Sequence, residues 1–172
     1  MDRRRRLGIA VGLLLVAAAA AATFRQAALR GERARFSYDP ARTYYVDRVI
    51  DGDTLRLRSG HRVRLLGVDT PETVHPRLGE QLFGREASAF TRDTAEGRDV
   101  RLEFDRERED RYGRVLAWVF VDDRNLNVEL VRHGFSQAVL ISPLRSDYRK
   151  ALVAAEAAAR EQGLGIFSGG SK

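Results

Sequence analysis

The chain has 172 residues, 44% of them hydrophobic and 31% charged, enough for one domain with a sizeable core and too few for two ordinary ones. It contains no cysteine, which excludes disulfides, thiolate metal sites and thiol chemistry while leaving the compartment open. The net charge is +6, and half of it lies in residues 1–22, where Arg3, Arg4, Arg5 and Arg6 stand against Asp2. The remainder is mildly basic, which suits a polyanionic ligand and equally reflects an arginine-rich composition with only two lysines, Lys150 and Lys172.

Residues 1–22 read as an address. Four arginines precede an uncharged, almost wholly apolar run over 7–22, the length of a signal-peptide core and short for a spanning helix, which needs roughly 20 residues. Two readings stay open: a signal peptide cleaved at small residues, for example after Ala22, or an N-terminal membrane anchor with its arginines in the cytoplasm. Either places the domain outside the cytoplasm, secreted, periplasmic or tethered. Arg5-Arg6 before Leu7 also allows a twin-arginine signal. Residues 23–42 read as a polar linker.

The domain itself is expected over 43–168, with a tail at 169–172. Residues 43–50 (TYYVDRVI) are rich in β-branched and aromatic side chains and predict a strand. Asp51-Gly52-Asp53 is a turn signal, and 54–58 alternates leucine with polar residues as a second strand. After Ser59-Gly60, residues 61–68 predict a third strand, completing a meander. Pro71 and Pro76 bound a loop, and 79–94 predicts a helix with Leu82, Ala89 and Phe90 apolar. Strands follow at 99–104 and 114–121, separated by a charged loop over 106–112. A short helix over 127–132 closes at Gly134, and an alanine-rich helix over 146–162 has Ser146 as N-cap and Gly163 at its C-terminal end. Five short strands, a helix inserted after the third and helices at the end suit a small, partly open OB-type barrel; periodicity alone gives only a mixed α+β domain, and it is the motifs that select an α+β, mainly β fold, a five-stranded OB barrel flanked by about three helices.

Three clusters stand out for their chemistry. Ile50-Asp51-Gly52-Asp53-Thr54 is by itself a hairpin turn. In Arg64-Leu65-Leu66-Gly67-Val68-Asp69-Thr70-Pro71-Glu72, alternation puts Arg64 and Leu66 on one face and leaves Asp69 as the first residue free of the strand pattern. Pro71 fixes its own φ and biases Thr70 toward extended geometry, so Asp69, the Thr70 carbonyl and Glu72 can form a fixed array. Asp110-Arg111-Tyr112-Gly113-Arg114 is a turn that delivers an arginine to a strand start.

Taken together with GREASAF and the NVELVRHG helix, these clusters resemble the staphylococcal nuclease (thermonuclease-type) family in order and spacing, from about residue 43 to 167. The resemblance implies calcium-dependent hydrolysis of phosphodiesters in DNA and RNA with little sequence preference, leaving a 3′-phosphate. It implies Asp53 and Asp69 as direct carboxylate ligands, Thr70 as a backbone-carbonyl ligand, and Asp51 behind them. A hard cation with oxygen ligands and a phosphodiester's need for charge neutralisation agree with that set. It further implies Glu72 orienting or deprotonating the attacking water, Arg64 and Arg114 clamping the phosphate, and Arg111 and Tyr112 contacting a terminal phosphate. Arginine's planar fork suits a clamp better than lysine. An ordinary ion pair with Asp69 or Asp110 is the competing reading for the two arginines, and a solvated loop acid that for Glu72. His61, His75 and His133 are scattered, so a zinc site is not expected; His75 and His133 read as structural or solvent-facing, and Trp118 as core.

The chain departs from the family where its best-known member carries two base-stacking tyrosines. The matching stretch, 138–143, has Leu140 and Ser142 near those positions, which bears on base preference and affinity rather than on cleavage. A monomer is the expected state. The competing functions are a non-catalytic nucleic-acid-binding OB module, which would be expected to lose the acids or the arginines, and a membrane-tethered interaction domain.

Overall fold

Strand β1 (Tyr44–Asp51) buries Val46 and Val49 and exposes Asp47 and Arg48, a pattern broken by irregular pairing on either side of Arg48 and Val49. It turns through Gly52-Asp53 into β2 (Thr54–Leu57), where Leu55 and Leu57 face the core and Arg56 faces solvent, as the alternation predicts. β3 (Arg62–Leu65) continues the meander, and β4 (Val68–Asp69) follows it at once. After helix α1 (Gly84–Ala95) come β5 (Asp99–Glu103), β6 (Val115–Val121), the short β7 (Arg124–Asn125), α2 (Leu126–Arg132), β8 (Gln137–Ala138), α3 (Ser146–Glu161) and a 3₁₀ turn at Gly165–Phe167. The computed structural model describes residues 36–72, 82–141 and 143–169, and all of these elements lie in one unit, Tyr38–Lys172. The signal or anchor at 1–22, most of the linker, His75, Pro76, the first turn predicted for α1, Ser142 and the end of the tail fall outside the described residues.

The sheet runs β3-β2-β1-β5-β6, and β6 returns to pair with β3, which closes five strands into a barrel. All neighbours are antiparallel except the closing pair, where Val63, Arg64 and Leu65 lie parallel to Val115, Leu116 and Ala117. With three helices around it, this is the predicted OB architecture. Val46, Leu55, Leu57, Val63, Leu65, Val100, Leu102 and Trp118 fill its interior. The Trp118 indole N–H, buried with the ring, donates to Asp105 at 3.0 Å.

Several local expectations change. The third strand is not continuous to residue 68: it breaks after Leu65, and Gly67 adopts φ 74°. A Cβ there would lie 2.4 Å from Leu152 Cδ1, so only glycine lets this bend press against α3. Asp69 therefore does not leave the strand pattern but sits in β4, paired with Gln137 of β8. α1 begins at Gly84, preceded by Phe83 at φ 68°, and Leu82 is exposed ahead of it instead of packing inward. Ser146 is the first residue of α3 and not its cap; Arg145 holds that position without a side-chain cap bond, and Asp147 in the first turn complements the helix dipole. Tyr38 and Asp39, read as linker, pack on the domain, with the Tyr38 ring edge-to-face on Phe104 at 4.4 Å and the Asp39 N–H donating to the Tyr44 hydroxyl at 2.8 Å. Gly134 (φ 72°) and Gly163 (φ 62°) end α2 and α3 as expected.

Candidate active site at the barrel rim

The turn between β1 and β2 needs a glycine at 52. A Cβ would fall 2.6 Å from Thr70 Oγ1 and 2.9 Å from Ala87 Cβ, so the turn is wedged between the β4 segment and α1. Thr91 of α1 donates to the Gly52 carbonyl at 2.7 Å and fixes the wedge. Asp53 then points into the barrel rim, only 6% exposed. Its Oδ1 accepts from Thr54 Oγ1 at 2.9 Å, and its Oδ2 accepts from the Thr70 backbone N–H at 3.1 Å.

Arg64 projects from β3 between the two acids. Its Nη2 is 2.7 Å from Asp69 Oδ1 and 3.1 Å from Asp53 Oδ2. Its Nη1 donates to the Val68 carbonyl at 2.7 Å and the Leu65 carbonyl at 3.1 Å, so the guanidinium also holds the bend that carries Asp69. Asp53, in the turn between β1 and β2, and Asp69, sixteen residues later in β4, thus share one cationic nitrogen.

Two buried residues that the sequence reading passed over hold the other side of that bend. Asn127 of α2 donates to the carbonyls of Leu66 (2.8 Å) and Ala117 (3.2 Å) and accepts from the Val119 N–H (3.0 Å). Ser136 accepts from the Asp69 N–H at 2.8 Å and donates to the Gln137 carbonyl at 2.7 Å. Both are fully buried. The signal that could have found Asn127 is a polar residue inside an otherwise apolar helix face; a lone serine carries none.

Glu72 follows Pro71, and α1 approaches it so closely that a Cβ on Gly84 would meet the Glu72 carbonyl oxygen at 2.7 Å. Arg114 enters from the opposite side, at the foot of β6. Asp110 arranges the turn before it by accepting from the N–H groups of Tyr112 (2.9 Å) and Arg114 (3.0 Å), while its Oδ2 accepts from Arg114 Nε at 2.7 Å. The terminal Nη groups of Arg114 have no protein acceptor among the described residues. Arg111 donates to the Tyr112 hydroxyl at 2.6 Å and lies 4.8 Å from its ring centroid; Tyr112 is exposed.

These side chains border one cleft of about 250 Å³, lined by Asp51, Asp53, Thr54, Arg64, Asp69, Thr70, Glu72 and Arg114. The structure brings together every residue assigned to metal, water or phosphate clamp; Arg111 and Tyr112 stand outside the lining. The competing reading for the arginines also describes real contacts, since Arg64 pairs with Asp69 and Arg114 with Asp110. His133 is exposed and stacks near Phe90 and Phe135, with its Nδ1 at 2.9 Å from the Glu129 carbonyl, away from the cleft.

Charge decides what the cleft can hold. Four carboxylates, Asp51, Asp53, Asp69 and Glu72, face two guanidiniums. Burial pushes the Asp53 carboxyl above its usual range; Arg64 pulls it down, the neighbouring Asp51 charge pushes it further up, and the Thr70 and Thr54 bonds lower it without restoring the ordinary value. Asp110 goes the other way. Burial opposes its ionisation, but the bonds from Arg114 and Tyr112 and the Arg114 charge hold its carboxyl below the ordinary range. Among the described residues no three His, Asp or Glu side chains converge on one point. Asp53 and Asp69, with the Thr70 carbonyl that the resemblance implies, would offer oxygen donors alone, in a cleft with excess negative charge. That fits a hard divalent cation such as calcium and not a thiolate- or imidazole-seeking metal.

Comparison with known proteins agrees with the motifs. The family model described as staphylococcal nuclease homologue matches residues 62–169. A thermonuclease of Staphylococcus intermedius is 44% identical over 128 residues, covering 73% of this chain and 76% of that protein. A thermonuclease of Staphylococcus hyicus is 44% identical over 104 residues, 59% of this chain and 62% of that protein. Endonuclease YncB of Bacillus subtilis (strain 168) is 35% identical over 127 residues, 72% of this chain and 60% of its own length, so the chain spans somewhat less than two thirds of these last two. A matched family model over more than half of the sequence, on a closed barrel with the family's motifs at its rim, shows that the chain belongs to the staphylococcal nuclease family.

Proposed function

We propose that this protein is a nuclease that hydrolyses phosphodiester bonds in DNA and RNA with little sequence preference, that it depends on calcium, and that its products carry a 3′-phosphate. The observation that carries the reading is the single cleft that gathers Asp53, Asp69, Thr70, Glu72, Arg64 and Arg114. The thermonuclease and endonuclease names of its relatives support it. A non-catalytic binding barrel has no need for a buried carboxylate beside the Arg64 guanidinium, since burying such charges is costly.

The carboxylates of Asp53 and Asp69 and the Thr70 carbonyl would hold the calcium, with Asp51 behind them; when bound, the ion supplies positive charge against the phosphate oxygens. Arg114 presents its two Nη groups as a fork to the phosphate, because Asp110 takes only Nε and leaves the outer edge toward the cleft. Arg64 is more heavily engaged, with both Nη groups on protein acceptors, so it reaches phosphate by yielding part of its hold on the exposed Asp69 carboxylate, 73% accessible. Glu72 holds a water for in-line attack on phosphorus and takes its proton while the P–O5′ bond breaks, the departing 5′-oxygen taking a proton from solvent water; the charge of Arg64 and Arg114 favours the more anionic transition state over the diester. Arg111 and Tyr112, on the exposed turn before Arg114, would meet a terminal phosphate. Export from the cytoplasm, by signal or anchor, belongs to the same reading and rests on residues 1–22.

A calcium-titrated digestion of single-stranded DNA tests this. Activity should rise with calcium, vanish on chelation and return on readdition. Binding of the strand without cleavage at any calcium concentration would leave only a ligand-holding barrel.

A further inference from the structure

A second, larger cleft of about 380 Å³ lies where the residues before β1 cross the end of β5. Its lining includes Arg101, Arg108 and Arg145, the aromatic rings of Tyr38 and Phe104, and a single acid, Glu103. Two of the three guanidiniums are partly neutralised within the protein. Arg101 pairs with Glu103, and Arg145 pairs with Glu103 at 3.0 Å and with Asp147 at 2.8 Å. Arg108 is different. Among the described residues no carboxylate lies within ion-pair distance of it, and its guanidinium instead caps the aromatic pair, 5.8 Å from the Tyr38 ring centroid and 5.6 Å from that of Phe104. An unneutralised, exposed arginine beside half-buried aromatic faces in a polar cleft is the combination that captures a base and its phosphate together.

The position relates this cleft to the first. Arg108 sits on the arm that delivers Arg114: the Leu116 N–H donates to the Arg108 carbonyl at 2.9 Å and the Asp110 N–H to the Arg114 carbonyl at 3.0 Å. Arg108 and Arg114 thus stand on the two legs of one turn, joined by the antiparallel bridge between Glu109 and Val115. That shared arm is what relates the second cleft to the rim.

We propose that the Tyr38–Phe104–Arg108 cleft is a second nucleic-acid site, which holds an unpaired base and its phosphate a few nucleotides from the bond being cut. The proposal rests on the nuclease reading for its purpose and not for its geometry. It makes long single strands bind better than dinucleotides, through contacts that play no part in cleavage.

Fluorescence anisotropy of the full chain with a labelled single-stranded oligonucleotide of about a dozen nucleotides, in chelator so that nothing is cut, tests it, alongside calcium-dependent cleavage of a dinucleotide. Arg108→Glu should raise the Kd of the long strand about tenfold and lower the salt slope by about one, while dinucleotide cleavage stays within about twofold of wild type. Tyr38→Leu, which keeps apolar volume and removes the ring, should weaken the long strand with the salt slope unchanged. An unchanged Kd in Arg108→Glu, equal losses on both substrates, or no binding of the long strand by the wild type overturns the site. A wild type that binds the long strand through Arg108 yet cuts neither substrate sinks the nuclease reading and leaves this site standing.

Discussion

Asp110 touches no substrate in this account, yet it sets the direction of Arg114 by taking Nε and leaving Nη1 and Nη2 to the cleft. Its carboxylate is held ionised by those same bonds. Asp110→Asn keeps the size of the side chain but weakens the charge-assisted bond, so Arg114 loses its fixed aim. Turnover should fall about tenfold to a hundredfold, and a steady-state comparison should show kcat falling more than KM rises. Activity equal to wild type would mean that Arg114 is aimed by something else. Much of this residue-level chemistry is legible from sequence: the acids, arginines and glutamate that line the cleft all come from three short motifs. The pairing inside the cleft is not. That Arg64 bridges Asp53 and Asp69 follows from the β1–β2 turn, β3 and β4 meeting at one rim, and no spacing along the chain encodes it.

At the level of elements, the segment from Leu65 to Thr70 decides whether the acids meet. It is held by Gly67 against α3, by Asn127 from α2 and by Ser136 at β8. Asn127→Ala would strand the Leu66 carbonyl and the Val119 N–H, each costing roughly 1–3 kcal/mol when left unsatisfied, while the Ala117 carbonyl keeps its bond from the Leu66 N–H. A loss of about 3 kcal/mol in urea unfolding is expected, with activity reduced in the molecules that remain folded. A loss below about 0.5 kcal/mol would contradict the anchoring role. Gly67→Ala should be at least as damaging, since it combines a positive φ with a 2.4 Å clash. The sequence announces the strands through leucine and valine alternation and the helix ends through Gly134 and Gly163. It does not announce the break at Gly67, because a glycine between Leu66 and Val68 reads equally well as strand interior. Nor does it announce β4 and β8, two residues each, which exist only by pairing with one another.

For the whole molecule, the outer face of β5 is tied to α3 by Glu103. Burial works against the charge of this carboxyl, but bonds from Tyr148 and Arg101 and the charges of Arg101 and Arg145 hold it below the usual carboxylate range. Tyr148 is raised to about 12, first by burial and then by its bond to Glu103. A carboxyl with a depressed folded pKa stabilises the fold above its unfolded value, near 4.5, and loses that contribution as the pH falls through the lower folded value. The raised phenol acts at the other end, its contribution intact below about 10 and lost as the pH rises through about 12. The Tm difference between wild type and Glu103→Gln should therefore be constant between about pH 6 and 9 and shrink below about pH 4. A difference that grows on acidification would refute the tie. The order of elements suits a barrel but by itself gives only a mixed α+β domain, and the family motifs select the barrel; its closure is not legible, because the parallel β3–β6 pair joins segments separated by α1, β5 and a charged loop, and parallel partners leave no local turn to mark them.

The central claim is that the rim cleft cuts phosphodiesters with Glu72 on the water and Arg114 on the phosphate. The most direct test is the rate of single-stranded DNA hydrolysis by Glu72→Gln and by Arg114→Ala at saturating calcium, with circular dichroism recorded on the same samples. Each variant should keep the native spectrum and fall by about a hundredfold or more. Native spectra with undiminished rates in both variants would contradict the account.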